Sequence, residues 1–208
     1  MNGCWVILAS GYARRYGADK TLAPCPQCQR PMFDHVRVLV SGFSMPVAVV
    51  LRPDQTSLQD LATRAGLTPL INHDAEEGLA ASLRCAAAWA IGREWMGVLL
   101  ADMPAIRPST LTAVMARAGR DRVARPLDTC VTPARPGHPV ILGSDFFPAL
   151  KTLEGDQGAR ELIRSLPGSC HVTVPVRDSG VWQDVDHPQD WASLTGCPEG
   201  LNVRQKRR

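Results

Sequence analysis

Arg14, Arg15 and Lys20 crowd around Gly17, just after a Ser10-Gly11 turn. Cationic side chains beside glycines that let the backbone approach a ligand suit an anion, and a phosphate group above others. The turn ends the apolar run Trp5-Val6-Ile7-Leu8-Ala9, which reads as a buried strand. The motif G-x-x-x-x-G-K-[ST] does not fit. Five residues lie between Gly11 and Gly17, and Ala18-Asp19 precede Lys20-Thr21. G-x-G-x-x-G fails as well, since Tyr12 and Ala13 follow Gly11. Charge alone leaves a solvated polar loop as an equal reading of the three cations.

Carboxylates supply the complementary chemistry. Asp102 ends the run Met96-Gly97-Val98-Leu99-Leu100-Ala101, where it is either a turn or helix cap or an oxygen ligand for a hard cation. Asp186 and Asp190 flank Pro188. Each suits the start of a helix, and Asp186 also suits a second oxygen donor for the same ion. His138, between Gly137 and Pro139, is either a strand-start residue or a substrate contact. Cys25 and Cys28 form a C-x-x-C pair, but a structural zinc needs four ligands. Cys4, Cys85, Cys130, Cys170 and Cys197 make no second pair, and His35 is one further candidate. A variant loop is therefore expected there, with zinc or redox chemistry as the lesser readings.

The elements that must position these groups alternate in period. Strands are expected over residues 4–9, 46–51, 67–71 and 96–101. Helices are expected over 31–42, 56–65 (capped by Asp54), 76–91 and 108–118. That βα alternation predicts an α/β fold with a mostly parallel sheet and helices on both faces. Short strands at 122–126, 129–133, 138–142 and 170–176, a helix near 157–166 and a last helix from Pro188 complete the expectation. In such sheets ligands bind beyond the carboxyl ends of the strands, so the Ser10-Gly11 and Asp102 turns are expected to face one crevice.

The composition is that of one globular domain: 208 residues, 45% hydrophobic, 21% charged, net charge +3. The mild positive charge fits an anionic ligand but is too thin for a nucleic-acid binder. A domain over 1–196 and a basic, frayed tail over 197–208 are expected. No apolar segment is long enough to span a bilayer, no signal pattern opens the chain, and seven cysteines suggest free thiols. The expectation is a cytoplasmic protein without membrane or nucleic-acid partners.

The run from Leu8 to Lys20 closely resembles the nucleotidyltransferase loop L-A-[AG]-G-x-[ST]-x-R-[ML]-G-x-x-K. Five further blocks narrow the likeness: Asn72 with Glu77-Gly78-Leu79-Ala80-Ala81-Ser82-Leu83, then Ala101-Asp102-Met103-Pro104. Gly137-His138-Pro139-Val140, Gly155-Asp156-Gln157-Gly158-Ala159-Arg160 and Asp184-Val185-Asp186-His187-Pro188-Gln189-Asp190 follow. In this order they resemble the molybdenum cofactor cytidylyltransferases. The resemblance implies a Rossmann-like nucleotidyltransferase fold and transfer of CMP from CTP to the phosphate of molybdopterin, with pyrophosphate released. It implies Arg15, Lys20 and Asp102 as catalytic residues. Leu8, Ala9, Ser10, Gly11, Arg15, Lys20, Asn72 and Ser82 would bind nucleotide, and Asp102 and Asp186 would hold Mg²⁺. His138, Asp156 and Arg160 would meet the acceptor, and a molybdoenzyme would receive the product.

Ser10 stands where cytidylyl members carry alanine and guanylyl members glycine, and its Cβ favours CTP. Ala13, Tyr16 and Ala86 depart from the family pattern. Three other readings stay open. One is guanylyl transfer to molybdopterin, or nucleotidyl transfer to another phosphorylated acceptor. Another is a non-catalytic nucleotide- or pterin-binding delivery module, and the third a thiol- or zinc-based regulator.

Overall fold

A computed structural model describes residues 2–12, 16, 19–155 and 159–194. Its centre is an eight-stranded sheet. Strands β1 (Gly3–Leu8), β2 (Val47–Leu51), β3 (Thr68–Ile71) and β4 (Trp95–Leu100) run parallel in the order β3-β2-β1-β4. Beyond β4 lie β7 (Val140–Gly143), antiparallel to it, then β5 (Val123–Asp128). Strand β8 (His171–Val176) runs parallel to β5, and the two-residue β6 (Arg135–Pro136) pairs with its end.

Strand alternation explains why both faces are covered. Trp5, Ile7 and Ala9 share one core with residues of α1 (Met32–Ser41), α2 (Thr56–Arg64) and α4 (Pro108–Met115). Cys4, Val6 and Leu8 face the other core, with α3 (Leu79–Trp89), α5 (Phe147–Leu150) and α6 (Ala159–Ser165). In β1 all six residues are buried, so no polar alternation marks this strand.

The two central strands are locked by tryptophan over glycine. Trp5 is opposite Gly97 and Trp95 opposite Gly3, and the two indoles meet edge to face at 5.7 Å. A Cβ on Gly97 would stand 2.3 Å from the Trp5 ring. Gly97→Ala is therefore expected to overpack the core and destabilise the protein by about 1–3 kcal/mol, read as a lower urea midpoint. An unchanged midpoint would show that the indole has room to move aside.

Several expected elements differ. The strand at 129–133 is a turn. Asp128, fully buried, accepts from the Cys130 amide (2.9 Å), Ser179 Oγ (2.8 Å) and Trp182 Nε1 (3.0 Å), and these bonds end β5. Burial raises the Asp128 pKa, but the donors outweigh it and hold its carboxyl at about 2. The helix expected over 76–91 splits at Gly78, whose φ of +94° lies in the left-handed region, so α3 begins at Leu79. Gln55 rather than Asp54 occupies the cap of α2, since Asp54 pairs with Arg52 at 3.0 Å. The helix from Pro188 is a five-residue 3₁₀ turn. The basic tail lies outside the described residues. Among those residues no helix is long and apolar enough to cross a membrane.

Candidate active site

Strands β1 and β4 are neighbours, with Leu8 opposite Leu100, so the Ser10-Gly11 and Asp102 turns leave the sheet side by side. Ser10 is buried and its hydroxyl lies 2.7 Å from that of Ser82 on α3. Asn72, just past β3, donates to the Ser82 hydroxyl at 3.3 Å. These three side chains come from separate elements and form one hydrogen-bonded line. Leu8, Ala9, Ser10, Gly11, Lys20, Ser82 and Asp102 line a cleft of about 490 Å³.

Two residues that no motif marked hold the turn in place. Arg52 donates through Nη1 to the Gly11 carbonyl at 2.8 Å, and its guanidinium lies 4.5 Å from the Tyr12 ring centroid. Gln55 donates to the Ala9 carbonyl (3.1 Å) and to Asp19 Oδ2 (2.9 Å), tying both ends of the loop to β2 and α2. Their one signal was position: polar residues just past the end of the neighbouring strand face the same crevice.

Lys20 is the hub. Its Nζ lies 2.8 Å from Asp102 Oδ2 and 2.8 Å from Asp186 Oδ1. Burial lowers the Lys20 pKa, but Asp102 and then Asp186 more than offset this, and the amine ends above its ordinary value. The Val185 amide donates to the Asp102 carbonyl at 2.9 Å, which draws the 184–186 segment against the β4 turn. Asp190 turns back to accept from the amides of Asp186 (2.9 Å) and His187 (2.7 Å). The capping work thus falls to Asp190, and the Asp186 carboxylate is left to face Lys20. Asp102 Oδ1 is buried without a hydrogen-bond partner. A buried acceptor of this kind beside a second carboxylate fits a hard divalent cation with oxygen ligands.

A second cavity, of about 530 Å³, shares Leu8, Leu79 and Leu100 with the first. His138, Arg160, Arg125, Arg135 and Trp182 line it. Burial lowers the Arg125 pKa, and the Arg160 charge lowers it further, so two guanidinium groups face each other's fields. Burial likewise pushes the His138 imidazole below its ordinary value. A Cβ on Gly137 would stand 2.0 Å from the Val181 carbonyl, so only glycine lets the His138 segment lie this close to 179–182. Arg125 carries no signal in the sequence because it sits among ordinary strand residues, and Arg135 because it falls in a proline-rich connection between expected strands.

Of the expected site residues, the structure gathers Leu8, Ala9, Ser10, Gly11, Lys20, Ser82, Asp102 and Asp186 around one cleft, with Asn72 behind it. His138 and Arg160 lie at the adjoining cavity. Arg15 and Asp156 lie outside the described residues.

Comparison with known proteins bears on the family and the fold. Residues 5–171 match the model of the MobA-like NTP transferase domain. Purine catabolism protein PucB of Bacillus subtilis (strain 168) is 28% identical over 195 residues, 89% of this chain and 92% of that one. A Mycobacterium sp. strain JC1 homolog of Mycobacterium tuberculosis Rv0371c has a TM-score of 0.75 at 26% identity. It covers 93% of this chain and 94% of its own. Rv0371c itself, solved as a complex with manganese, has a TM-score of 0.72 at 22% identity, covering 93% and 98%.

Proposed function

The chain belongs to the MobA-like NTP transferase family, a family of nucleotidyltransferases, and from that premise we propose that it transfers CMP from CTP to the phosphate of molybdopterin. The observation that carries this reading is the Lys20–Asp102–Asp186 cluster at the first cleft, beside a second cavity lined by arginines.

In this reading the triphosphate lies over the Ser10-Gly11 turn, with Lys20 and Arg15 as its cations. Asp102 and Asp186 hold Mg²⁺, which supplies charge neutralisation for the phosphoryl oxygens. Arg125, Arg135 and Arg160 receive the anionic head of the acceptor, with the Arg135 guanidinium held 4.4 Å over the Trp182 ring. An acceptor phosphate oxygen bonds to the α-phosphorus as the bond to the bridging oxygen breaks, and pyrophosphate leaves. That nucleophile has a second pKa near 6 and is already ionised at neutral pH, so the chain need supply no general base. Its own residues orient the two anions and offset their repulsion.

Ser10 supports cytidine over guanosine. Its side chain is buried against Ser82, so the floor of the cleft carries bulk that glycine would lack. Calorimetric titration with Mg²⁺ is expected to show CTP binding at least about tenfold tighter than GTP, a difference of about 1.4 kcal/mol. A GTP preference would move the chain to guanylyl transfer. Binding of neither nucleotide would overturn the assignment of the cleft.

A further inference from the structure

Residues 24–31 form a closed knuckle on the far side of Lys20. Pro24 and Pro31 pair as an isolated bridge, the Cys25 amide donates to the Arg30 carbonyl (2.8 Å), and the Gln29 amide donates back to Cys25 (2.8 Å). Gln29 sits at φ +59°, and it is the one non-glycine residue in the left-handed region among the described residues. The knuckle turns both cysteines inward. His35, on the first turns of α1, meets them there: its Nε2 lies 3.4 Å from Cys28 Sγ. The two sulfurs and the imidazole nitrogen all lie within 4.8 Å of one another, and Cys25 and His35 are buried.

We propose that Cys25, Cys28 and His35 bind a soft divalent cation, zinc in the first place. Two thiolates and one imidazole are the ligand types of zinc sites, and their mutual distance suits donors around one tetrahedral ion. Binding releases one proton from each thiol, and the third donor is a neutral imidazole. Burial and the Arg30 charge keep His35 in that neutral form, in agreement with the geometry. Three protein donors leave one position for a water or another ligand.

The site has a structural consequence. Cys25 packs with Met32, Val185 and Trp191, and the His35 and Trp191 rings are 5.7 Å apart. A metal there ties the arm that follows Lys20 to helix α1, and that unit packs through Val185 and Trp191 against the segment that carries Asp186.

The test uses the full chain, reduced and stripped of metal, titrated with Co²⁺ alone. The expected result is one ion per chain with a thiolate-to-cobalt absorption band, displaced by Zn²⁺. Cys28→Ser is expected to remove the band. His35→Gln is expected to weaken uptake by at least the roughly hundredfold upper range of outer-shell changes. Cys130→Ser, at an exposed thiol outside the cluster, leaves the band unchanged. Reduced wild-type protein that takes up no cobalt overturns the proposal without recourse to any variant. So does a band that survives Cys28→Ser, or a Cys25–Cys28 disulfide whose reduction yields no metal binding.

Discussion

Asp102→Asn is expected to lower kcat/KM for nucleotidyl transfer by about 10³-fold or more, the range seen when a preorganised charge is removed from a phosphoryl-transfer site. Asparagine preserves the size of the side chain and leaves the fold undisturbed, so the loss is electrostatic. It replaces a carboxylate oxygen 2.8 Å from Lys20 Nζ with either a weaker acceptor or an amide donor facing a cation. It also takes negative charge from Asp102 Oδ1, a buried oxygen without a hydrogen-bond partner among the described residues. Asp186→Asn is expected to cost less, about 10–100-fold, because its side chain is more exposed, 34% against 22% for Asp102. Steady-state rates at saturating Mg²⁺, beside circular dichroism of each variant, separate chemistry from folding. An Asp102→Asn enzyme within about tenfold of wild type, under 1.4 kcal/mol of barrier, would remove Asp102 from the catalytic set.

Much of this site was legible before the fold was known, for physical reasons. The run Trp5 to Ala9 is apolar on every residue because both sheet faces are covered, and such a run announces a central parallel strand. Ligand sites in open α/β sheets follow from strand ends, which placed Ser10 and Asp102 together. The second half of the chain was less readable. Val131 and Thr132 have the β-branched look of a strand, yet the Asp128 side chain captures the Cys130 amide and turns the chain first. Long-range partners were unreadable: nothing near Arg52 or Gln55 shows that they reach back across forty residues to the Gly11 and Ala9 carbonyls. His35 is a different case, since the sequence already offers it as a ligand candidate. A C-x-x-C with one histidine falls short of a four-ligand count, and helix α1 is what brings that third donor to the pair.

Lys20→Ala is expected to weaken CTP binding by about 10–100-fold, the worth of one charge-assisted contact, and to lower kcat by about 10²-fold. The Lys20 ammonium pairs with two carboxylates at once, each at 2.8 Å. A cation that also binds a triphosphate must exchange part of this pairing for phosphate oxygens when nucleotide arrives. Its removal therefore has two opposite effects. Nucleotide loses a partner, while Asp102 and Asp186 each lose the ammonium at 2.8 Å and attract divalent ions more strongly. Calorimetry should show Mn²⁺ binding alone tightened in Lys20→Ala even as CTP binding weakens. A lysine that only shaped the loop would weaken both together. The pH dependence points the same way. Since the folded amine titrates above its ordinary value, its contribution to stability is fully present below the unfolded lysine pKa and is lost as pH rises through the folded one. Between about pH 6 and 9 Lys20 stays charged, so the difference between wild type and Lys20→Ala is expected to be flat across that window. A difference that closes within it would show that the amine titrates there and is not held by the two carboxylates.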